Sequence, residues 1–221
     1  FWIVLHKLDI SSETYPLVKI KYTYLLLILP LLIADITLQT MYIAYLSPDI
    51  ITSCCAVVFG SSDETGRNLL QGYSQTTLLF LYYGSIVFLL GLGCILLKRW
   101  LLPLAALFSA GWLWFLCLAT VAIITLFSSY IYAMPYHHCP FCILKPEYHY
   151  IGFALYFTLI PAAFFGLSTV IVEPLKSKKD LAGPVQKYQR TAIILSLLLV
   201  LLLTAISSYH FLLYKITGGE L

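Results

Sequence analysis

The sequence predicts an all-α fold, a polytopic transmembrane helix bundle of about five spans. Hydrophobic residues make up 61% of the 221 residues and charged residues only 10%, whereas about 25% of the residues in an ordinary soluble domain are charged. Several apolar runs exceed the ~20 residues that a helix needs to cross the hydrocarbon core of a bilayer. Because no polar stretch is long enough for a soluble domain, we expect one membrane domain over residues 1–221.

Five apolar segments are each long enough to cross the membrane as a helix, at about 1.5 Å per residue. They cover residues 24–46, 76–97, 104–132, 151–172 and 191–213. Pro103 suits the first turn of the third helix, whereas Pro30 and Pro161 lie inside spans and predict local kinks. The basic segment 176–190 is typical of a cytoplasmic loop between the fourth and fifth spans.

The basic residues predict which loops lie outside the cell. With Lys7 left aside, nine of them precede the first span or lie in alternate connections, namely Lys19, Lys21, Lys98, Arg99, Lys176, Lys178, Lys179, Lys187 and Arg190. Three lie on the opposite side, namely Arg67, Lys145 and Lys215. Since basic residues concentrate in cytoplasmic loops, we expect residues 47–75 and 133–150 to face the exterior of a bacterial or archaeal cell membrane. The lipid bilayer is the expected partner, and nothing indicates nucleic-acid binding.

Four of the six cysteines lie in these two outer loops, and they come as pairs. Cys54 and Cys55 are adjacent, whereas Cys139 and Cys142 form the tetrapeptide CPFC. A Cys-x-x-Cys pair opens and closes a disulfide with little backbone movement, and the motif commonly lowers the pKa of one thiol. Pro140 suits the first turn of a short helix with Cys139 at its N-terminus, where free amide groups would stabilise a thiolate. Dithiol chemistry between the two pairs is therefore one interpretation.

Two other interpretations of the cysteines are open. They could form structural disulfides within or between the loops, as expected in an oxidising compartment. They could also bind copper or zinc, since thiolates and imidazoles suit both metals. The candidate ligands are His137, His138, Cys139, Cys142 and His149, and Cys54 and Cys55 could complete the coordination shell.

Ionisable and sulfur-bearing residues inside the predicted spans also carry expectations. Asp35 lies near the middle of the first span, where an ionisable group is costly, so we expect proton handling or a polar partner there. Gln39 follows one turn later and is placed to hydrogen-bond it. Cys94 and Cys117 are expected to be small apolar residues of the core.

The topology and the order of the cysteine pairs together resemble the vitamin K epoxide reductase family and, more loosely, the quinone-reducing, disulfide-forming membrane proteins of bacteria. In that family one cysteine pair lies in the outer loop after the first helix, and a Cys-x-x-Cys lies at the outer start of the fourth. The adjacent pair and CPFC occupy comparable places, and CCAVVFGSS followed by GYSQTTLLFLYYG looks like the family's loop entering its second helix. The resemblance is one of arrangement and covers roughly residues 24–172.

The resemblance implies a membrane thiol–disulfide oxidoreductase. An extracytoplasmic thiol protein would reduce the adjacent pair, the adjacent pair would reduce CPFC, and CPFC would pass the electrons to a membrane quinone. The four cysteines and His138 would be the catalytic residues, with His137 and neighbouring tyrosines as further candidate proton donors. Two other functions are open: an accessory transmembrane subunit of a larger respiratory or transport complex with disulfide-stapled outer loops, and a copper- or zinc-handling membrane protein.

Overall fold

The structure is a computed structural model that describes residues 1–46, 74–132, 139–178 and 180–217. Within these ranges the regular elements are all helical. Five of the described helices are long and apolar enough to cross a membrane. The predicted all-α transmembrane bundle is therefore confirmed.

The helices follow the chain in a simple order. They are α1 (Trp2–Ile10), α2 (Val18–Ala44), α3 (Gln75–Lys98), α4 (Leu102–Ala122), α5 (Ser128–Tyr132), α6 (Ile151–Ile171) and α7 (Ala182–Thr217). A π-helical turn, Ile123–Phe127, joins α4 to α5, so that the three together form the third span. Short 3₁₀ turns lie at Cys142–Leu144, Pro146–Tyr148 and Glu173–Ser177.

Two of the spanning helices begin earlier than hydropathy predicts. α2 begins at Val18 rather than at residue 24, and α7 begins at Ala182 rather than at residue 191. Hydropathy marks only the apolar part of a helix, whereas these two helices also include the more polar residues 18–23 and 182–190. Residues 182–190, predicted as loop, are therefore helical, and Pro184 is tolerated because it lies in the first turn.

The internal contacts divide the chain into two compact units. Unit 1 comprises Phe1–Thr52 and Val172–Gln189, and unit 2 comprises Ser53–Ile171 and Arg190–Leu221. A division by contacts does not measure independent folding, so the expectation of a single membrane domain stays a prediction.

Unit 1 contains a buried ion pair that joins α1 to the start of α2. The Asp9 carboxylate accepts hydrogen bonds from Lys21 Nζ at 2.8 Å and from the Leu17 backbone N–H at 2.8 Å. Asp9 is fully buried, and Lys21 is 7% exposed. The Lys21 Nζ also lies 3.2 Å from Nδ1 of His6. The buried apolar cluster of unit 1 consists of Leu5, Leu8, Leu17, Val172, Leu175, Leu181 and Val185.

Trp112 in α4 is the largest fully buried side chain among the described residues of unit 2. Trp112 is fully buried and makes edge-to-face ring contacts with Phe108 and Phe115, at centroid distances of 6.2 and 5.7 Å. The indole also lies directly against Gly166 of α6, where an added Cβ would come within 2.1–2.4 Å of three indole atoms. Only glycine fits there, so this contact sets how closely α4 and α6 approach.

Hydrogen bonds between small side chains reinforce the same interface. Ser109 Oγ donates to the Gly166 carbonyl at 3.0 Å and lies 3.2 Å from Thr169 Oγ1. Small residues let helix backbones come close in a bilayer, and side-chain hydrogen bonds then join the helices. The α4–α6 interface combines both features.

A second pair of helices in unit 2 is joined by hydroxyl groups. The Tyr82 hydroxyl lies 3.1 Å from Ser207 Oγ, and the Tyr83 hydroxyl lies 2.9 Å from Ser208 Oγ. Two adjacent tyrosines of α3 therefore meet two adjacent serines of α7. Within hydrocarbon each hydroxyl needs a partner, so these pairs define the register of α3 against α7.

The expectations for individual residues in the spans have different outcomes. Pro103 lies in the first turn of α4, as predicted. Pro30 and Pro161 lie inside α2 and α6, and the kinks expected there stay predictions. The expectation that Cys94 and Cys117 belong to the core is wrong, because both are exposed. When a helix is apolar on all sides, its sequence does not show which side faces the lipid.

We predict that Gly166→Ala lowers the free energy of unfolding by about 3 kcal/mol, the upper end of the usual cost of overpacking. The added methyl would collide with the Trp112 indole, which other rings hold in place. Gly91→Ala is the matched control, because nothing lies within 4 Å of its added Cβ. SDS titration in detergent micelles measures both variants, and equal effects would contradict the assigned contact.

We predict that Lys21→Met opens the α1–α2 connection in unit 1. It leaves the buried Asp9 carboxylate without its cation, and breaking a buried pair in this way costs about 3–5 kcal/mol. The double variant Asp9→Asn/Lys21→Met removes both charges and should be milder. Hydrogen exchange at the Leu17 amide, which donates to Asp9, reports on the connection. The idea fails if the single variant is as well protected as the double one.

Candidate functional site

The CPFC cysteines lie between the third span and α6, and both are buried. Cys139 is 1% exposed and Cys142 is 6% exposed, whereas Phe141 between them is 64% exposed. Both cysteines belong to the main apolar cluster of unit 2, next to Ile143, which is fully buried. The sulfur-bearing side chains therefore lie within the packed apolar interior of unit 2.

The backbone of this segment differs from the helix predicted to begin at Pro140. The chain makes a turn at residues 140–141, and the helical turn begins only at Cys142. Its backbone bonds run from the Leu144 N–H to the Phe141 carbonyl at 3.1 Å and from the Lys145 N–H to the Cys142 carbonyl at 3.0 Å. The prediction that Cys139 caps a short helix is wrong, because the tertiary contacts of the segment select a different local conformation.

Two tyrosine hydroxyls hold the first half of CPFC. The Tyr132 hydroxyl, at the end of the third span, donates to the carbonyl of Cys139. The Tyr156 hydroxyl, in the second turn of α6, donates to the carbonyl of Pro140 at 2.9 Å. Two consecutive carbonyls thus accept hydrogen bonds from two different helices. Buried carbonyls require such partners, so the arrangement determines the orientation of the Cys139–Pro140 peptide.

The Tyr132 ring is itself held by an aromatic contact. It meets the ring of Tyr148 edge to face, with centroids 4.6 Å apart and planes inclined by 68°. Tyr132 is 4% exposed. The ring whose hydroxyl donates to the Cys139 carbonyl is therefore packed against Tyr148, which lies in the segment that follows CPFC.

Gly152 in the first turn of α6 allows CPFC to lie close to that helix. An added Cβ would lie 2.7 Å from Ile143 Cγ1 and 3.0 Å from the Ile143 carbonyl carbon. Backbone atoms cannot move aside as easily as the end of a flexible side chain. Glycine at this position therefore lets residues 142–144 rest directly on α6.

The connection from CPFC to α6 contains two consecutive residues with positive φ. His149 has φ 53° and Tyr150 has φ 56°, which is uncommon for residues other than glycine. The Lys145 carbonyl accepts from the Tyr148 and Tyr150 N–H groups, at 3.1 and 3.3 Å. His149 lies between these two donors in the sequence and is exposed.

Several predicted site residues fall outside the described residues, namely Cys54, Cys55, His137 and His138. Their distances from Cys139 and Cys142, and hence the electron relay between the pairs, stay predictions. Among the residues that the structure describes, no three His, Cys, Asp or Glu side chains are grouped as metal ligands. The proposed metal set contains His137 and His138, so it too stays a prediction.

The expected contact of Asp35 is present. Gln39 Nε2 donates to Asp35 Oδ2 at 2.9 Å, one turn along α2, and both side chains are exposed. This polar pair belongs to unit 1 and is separate in sequence from the cysteine site.

Three residues of the site do not stand out as site residues in the sequence: Tyr132, Tyr156 and Gly152. A tyrosine in an apolar helix carries a hydroxyl that needs a partner when buried, and this is the available signal for Tyr156. Tyr132 lies at the end of a span, where the sequence pattern favours an aromatic belt at the membrane surface. Gly152 carries no signal, since glycine often lies near the end of a helix for its backbone freedom alone.

We predict that Gly152→Ala makes the reduced CPFC thiols react faster with a water-soluble maleimide. The added methyl must displace residues 142–144, and displacement exposes the buried sulfurs. Gly84→Ala is the control within unit 2, because nothing lies within 4 Å of its added Cβ. Mass spectrometry of the alkylated peptide over time gives the rates. Equal rates in the two variants would show that Gly152 does not position the segment.

The geometry of the site is the basis for proposing a function, because the chain has no significant match among known proteins. No protein-family model matches the chain, and no curated protein or solved structure is significantly similar to it. The resemblance to the vitamin K epoxide reductase family therefore stays a prediction based on the arrangement of cysteines and spans.

Proposed function

We propose that this chain is a membrane thiol–disulfide oxidoreductase in which CPFC passes electrons from a dithiol to a membrane quinone. The observation that carries the proposal is the burial of Cys139 and Cys142 inside unit 2, with the Cys139 and Pro140 carbonyls held by Tyr132 and Tyr156. A Cys-x-x-Cys whose backbone is held in one orientation is suited to repeated opening and closing of a disulfide with little motion.

The electron balance of this reaction is simple. Oxidation of a dithiol to a disulfide releases two electrons and two protons, and reduction of a quinone to a quinol takes up two of each. In the proposed cycle a reduced dithiol first converts the CPFC disulfide to two thiols through a mixed disulfide. The quinone then reoxidises the two thiols, and the cycle is complete.

The location of CPFC favours a lipid-soluble acceptor. Both cysteines lie in an apolar cluster of the membrane-spanning helices, and quinones dissolve in the same hydrocarbon. A folded thiol protein would not reach sulfurs that are 1% and 6% exposed. The adjacent pair Cys54–Cys55 is the proposed carrier from such a protein to CPFC, in line with the sequence resemblance.

Tyr132 and Tyr156 serve in this proposal as positioning residues. Their hydroxyl hydrogens are engaged with backbone carbonyls, so they orient the CPFC backbone. His138 is the proposed proton donor to the quinone oxygen. The bias of basic residues, with nine on one side and three on the other, supports an extracytoplasmic position of CPFC.

We predict that Cys139→Ser and Cys142→Ser each reduce dithiol:quinone oxidoreduction to the rate measured without protein. Either change removes a sulfur without which the disulfide cannot form. The assay combines purified protein in lipid nanodiscs, dithiothreitol and a short-chain ubiquinone, and it follows the bleaching of the quinone absorbance. Cys117→Ser is the matched control, because Cys117 lies exposed in the third span, and it should retain the wild-type rate.

Two results would contradict the proposed function. In the first, the wild-type protein and Cys139→Ser bleach the quinone at the same rate. In the second, the serine variants lower the amount of folded protein but leave the turnover of the remainder unchanged, as expected of an accessory subunit with stapled loops. Elemental analysis of the same preparations tests the copper or zinc alternative, which requires about one metal ion per chain.

A further inference from the structure

The third span contains one turn of π-helix, Ile123–Phe127, between α4 and α5. There the Ser128 N–H donates to the Ile123 carbonyl, five residues earlier, whereas in an α-helix it would donate to the carbonyl four residues earlier. A π turn inside an α-helix is rare and is frequently found at functional sites. This one ends five residues before Tyr132, whose hydroxyl donates to the Cys139 carbonyl.

Side-chain hydroxyl groups stabilise the backbone around this turn. The Ile124 carbonyl, which the Ser128 N–H would bond in an α-helix, accepts a hydrogen bond from the Ser128 hydroxyl at 2.5 Å. The Ser129 hydroxyl donates to the Leu126 carbonyl at 2.7 Å. Backbone carbonyls away from water need hydrogen-bond partners, so these hydroxyls supply bonds where the backbone pattern changes.

The π turn changes which residues of the third span share a face. Phe115 and Phe127 both contact the Tyr82 ring, at centroid distances of 5.5 and 5.1 Å. In an uninterrupted α-helix, residues twelve positions apart would lie about 120° from each other. Because a π turn holds about one residue more than an α turn, the separation falls to about 20°. The two ring contacts on Tyr82 agree with this change of register.

The same change turns Tyr132 towards α6. Ser109 faces α6, because its hydroxyl donates to the Gly166 carbonyl at 3.0 Å. Around an uninterrupted α-helix Tyr132 would lie about 140° from Ser109, and the π turn reduces this angle to about 40°. Residues 142–144 rest on α6 at Gly152. The π turn therefore brings Tyr132 to the side of the helix on which the CPFC segment lies.

We propose that the π turn is a positioning element for CPFC, whose extra residue directs the Tyr132 hydroxyl to the Cys139 carbonyl. The inference deepens the proposed function and rests on it, since it requires that CPFC opens and closes a disulfide. A backbone held in one orientation raises the effective concentration of each thiol at the other. The hydrogen bond from Tyr132 thereby favours closure of the disulfide.

The packing of α4 determines what a change in the length of the turn does. The Trp112 indole lies against Gly166, so α4 is held in place before the turn. Removing one residue from the turn lets the chain continue as an α-helix, and the segment after it then rotates by about 100°. The Tyr132 hydroxyl no longer reaches the Cys139 carbonyl.

The test measures the stability of the CPFC disulfide in full-length protein in lipid nanodiscs. The protein is equilibrated with reduced and oxidised dithiothreitol and alkylated, and the CPFC peptide is quantified by mass spectrometry. In this exchange dithiothreitol passes two electrons and two protons to the CPFC disulfide, which becomes two thiols, and dithiothreitol itself becomes a cyclic disulfide. No quinone takes part, so the measurement is independent of the electron acceptor.

We expect deletion of Thr125 to make the CPFC disulfide about fivefold less stable, which is the usual net effect of losing one hydrogen bond. For a two-electron couple this corresponds to about 20 mV. Thr125→Ala is the matched control, because it removes the same hydroxyl and keeps the number of residues. It should have the wild-type disulfide stability.

Tyr132→Phe shows whether the turn acts through the hydroxyl of Tyr132. It keeps the ring that packs against Tyr148, so we expect it to fold, and it should lower the disulfide stability as much as the deletion does. Combining Tyr132→Phe with the deletion should cause no further loss, because both changes remove the same hydrogen bond.

Several results would overturn the proposal. The deletion variant could keep the wild-type disulfide stability, or Thr125→Ala could lower it equally. Tyr132→Phe could leave it unchanged, or its effect could add to that of the deletion. A deletion variant that does not fold would also contradict the proposal, because the turn would then serve the whole bundle. The proposed function is decided separately, by quinone reduction in the wild type and in the serine variants of CPFC.

Discussion

The contact between Trp112 and Gly166 is the constraint on which unit 2 depends. With the indole pressed on a residue that has no side chain, α4 and α6 approach closely, and Ser109 can bond to the Gly166 carbonyl. The same two spans provide Tyr132 and Tyr156, which hold consecutive carbonyls of the CPFC segment. In a close-packed interior the position of one helix determines that of its neighbours, so a contact deep in the bundle contributes to the geometry of the cysteines.

Polar groups inside the membrane-spanning helices follow a common rule. Tyr82 meets Ser207, Tyr83 meets Ser208, and Asp35 meets Gln39. The first two pairs join different helices, whereas the third lies within α2. Since hydrocarbon offers no hydrogen-bond partners, pairing of this kind satisfies polar groups where water is absent.

Where prediction from the sequence failed, the outcome depended on features that hydropathy and short motifs do not show. Cys94 and Cys117 are exposed. The sequence did not show this, because hydropathy cannot orient a helix that is apolar on all sides. The short helix expected from Pro140 begins instead at Cys142, where residues 142–144 rest on Gly152. The early start of α7 at Ala182 was missed because its polar first turns carry no hydropathy signal. The first two failures concern contacts between elements, which no local pattern contains, whereas the third reflects a limit of hydropathy alone.

The sequence by itself determined the membrane class, the five spans and the bond between Asp35 and Gln39. These depend on apolar runs of a required length and on a spacing of one helical turn, and both are properties of neighbouring residues. Only the tertiary structure decided the burial of Cys139 and Cys142, the hydroxyl contacts that hold them, and the Asp9–Lys21 pair. Such contacts join residues on separate elements, and the packing of those elements depends on which faces meet, a choice that composition and periodicity leave open.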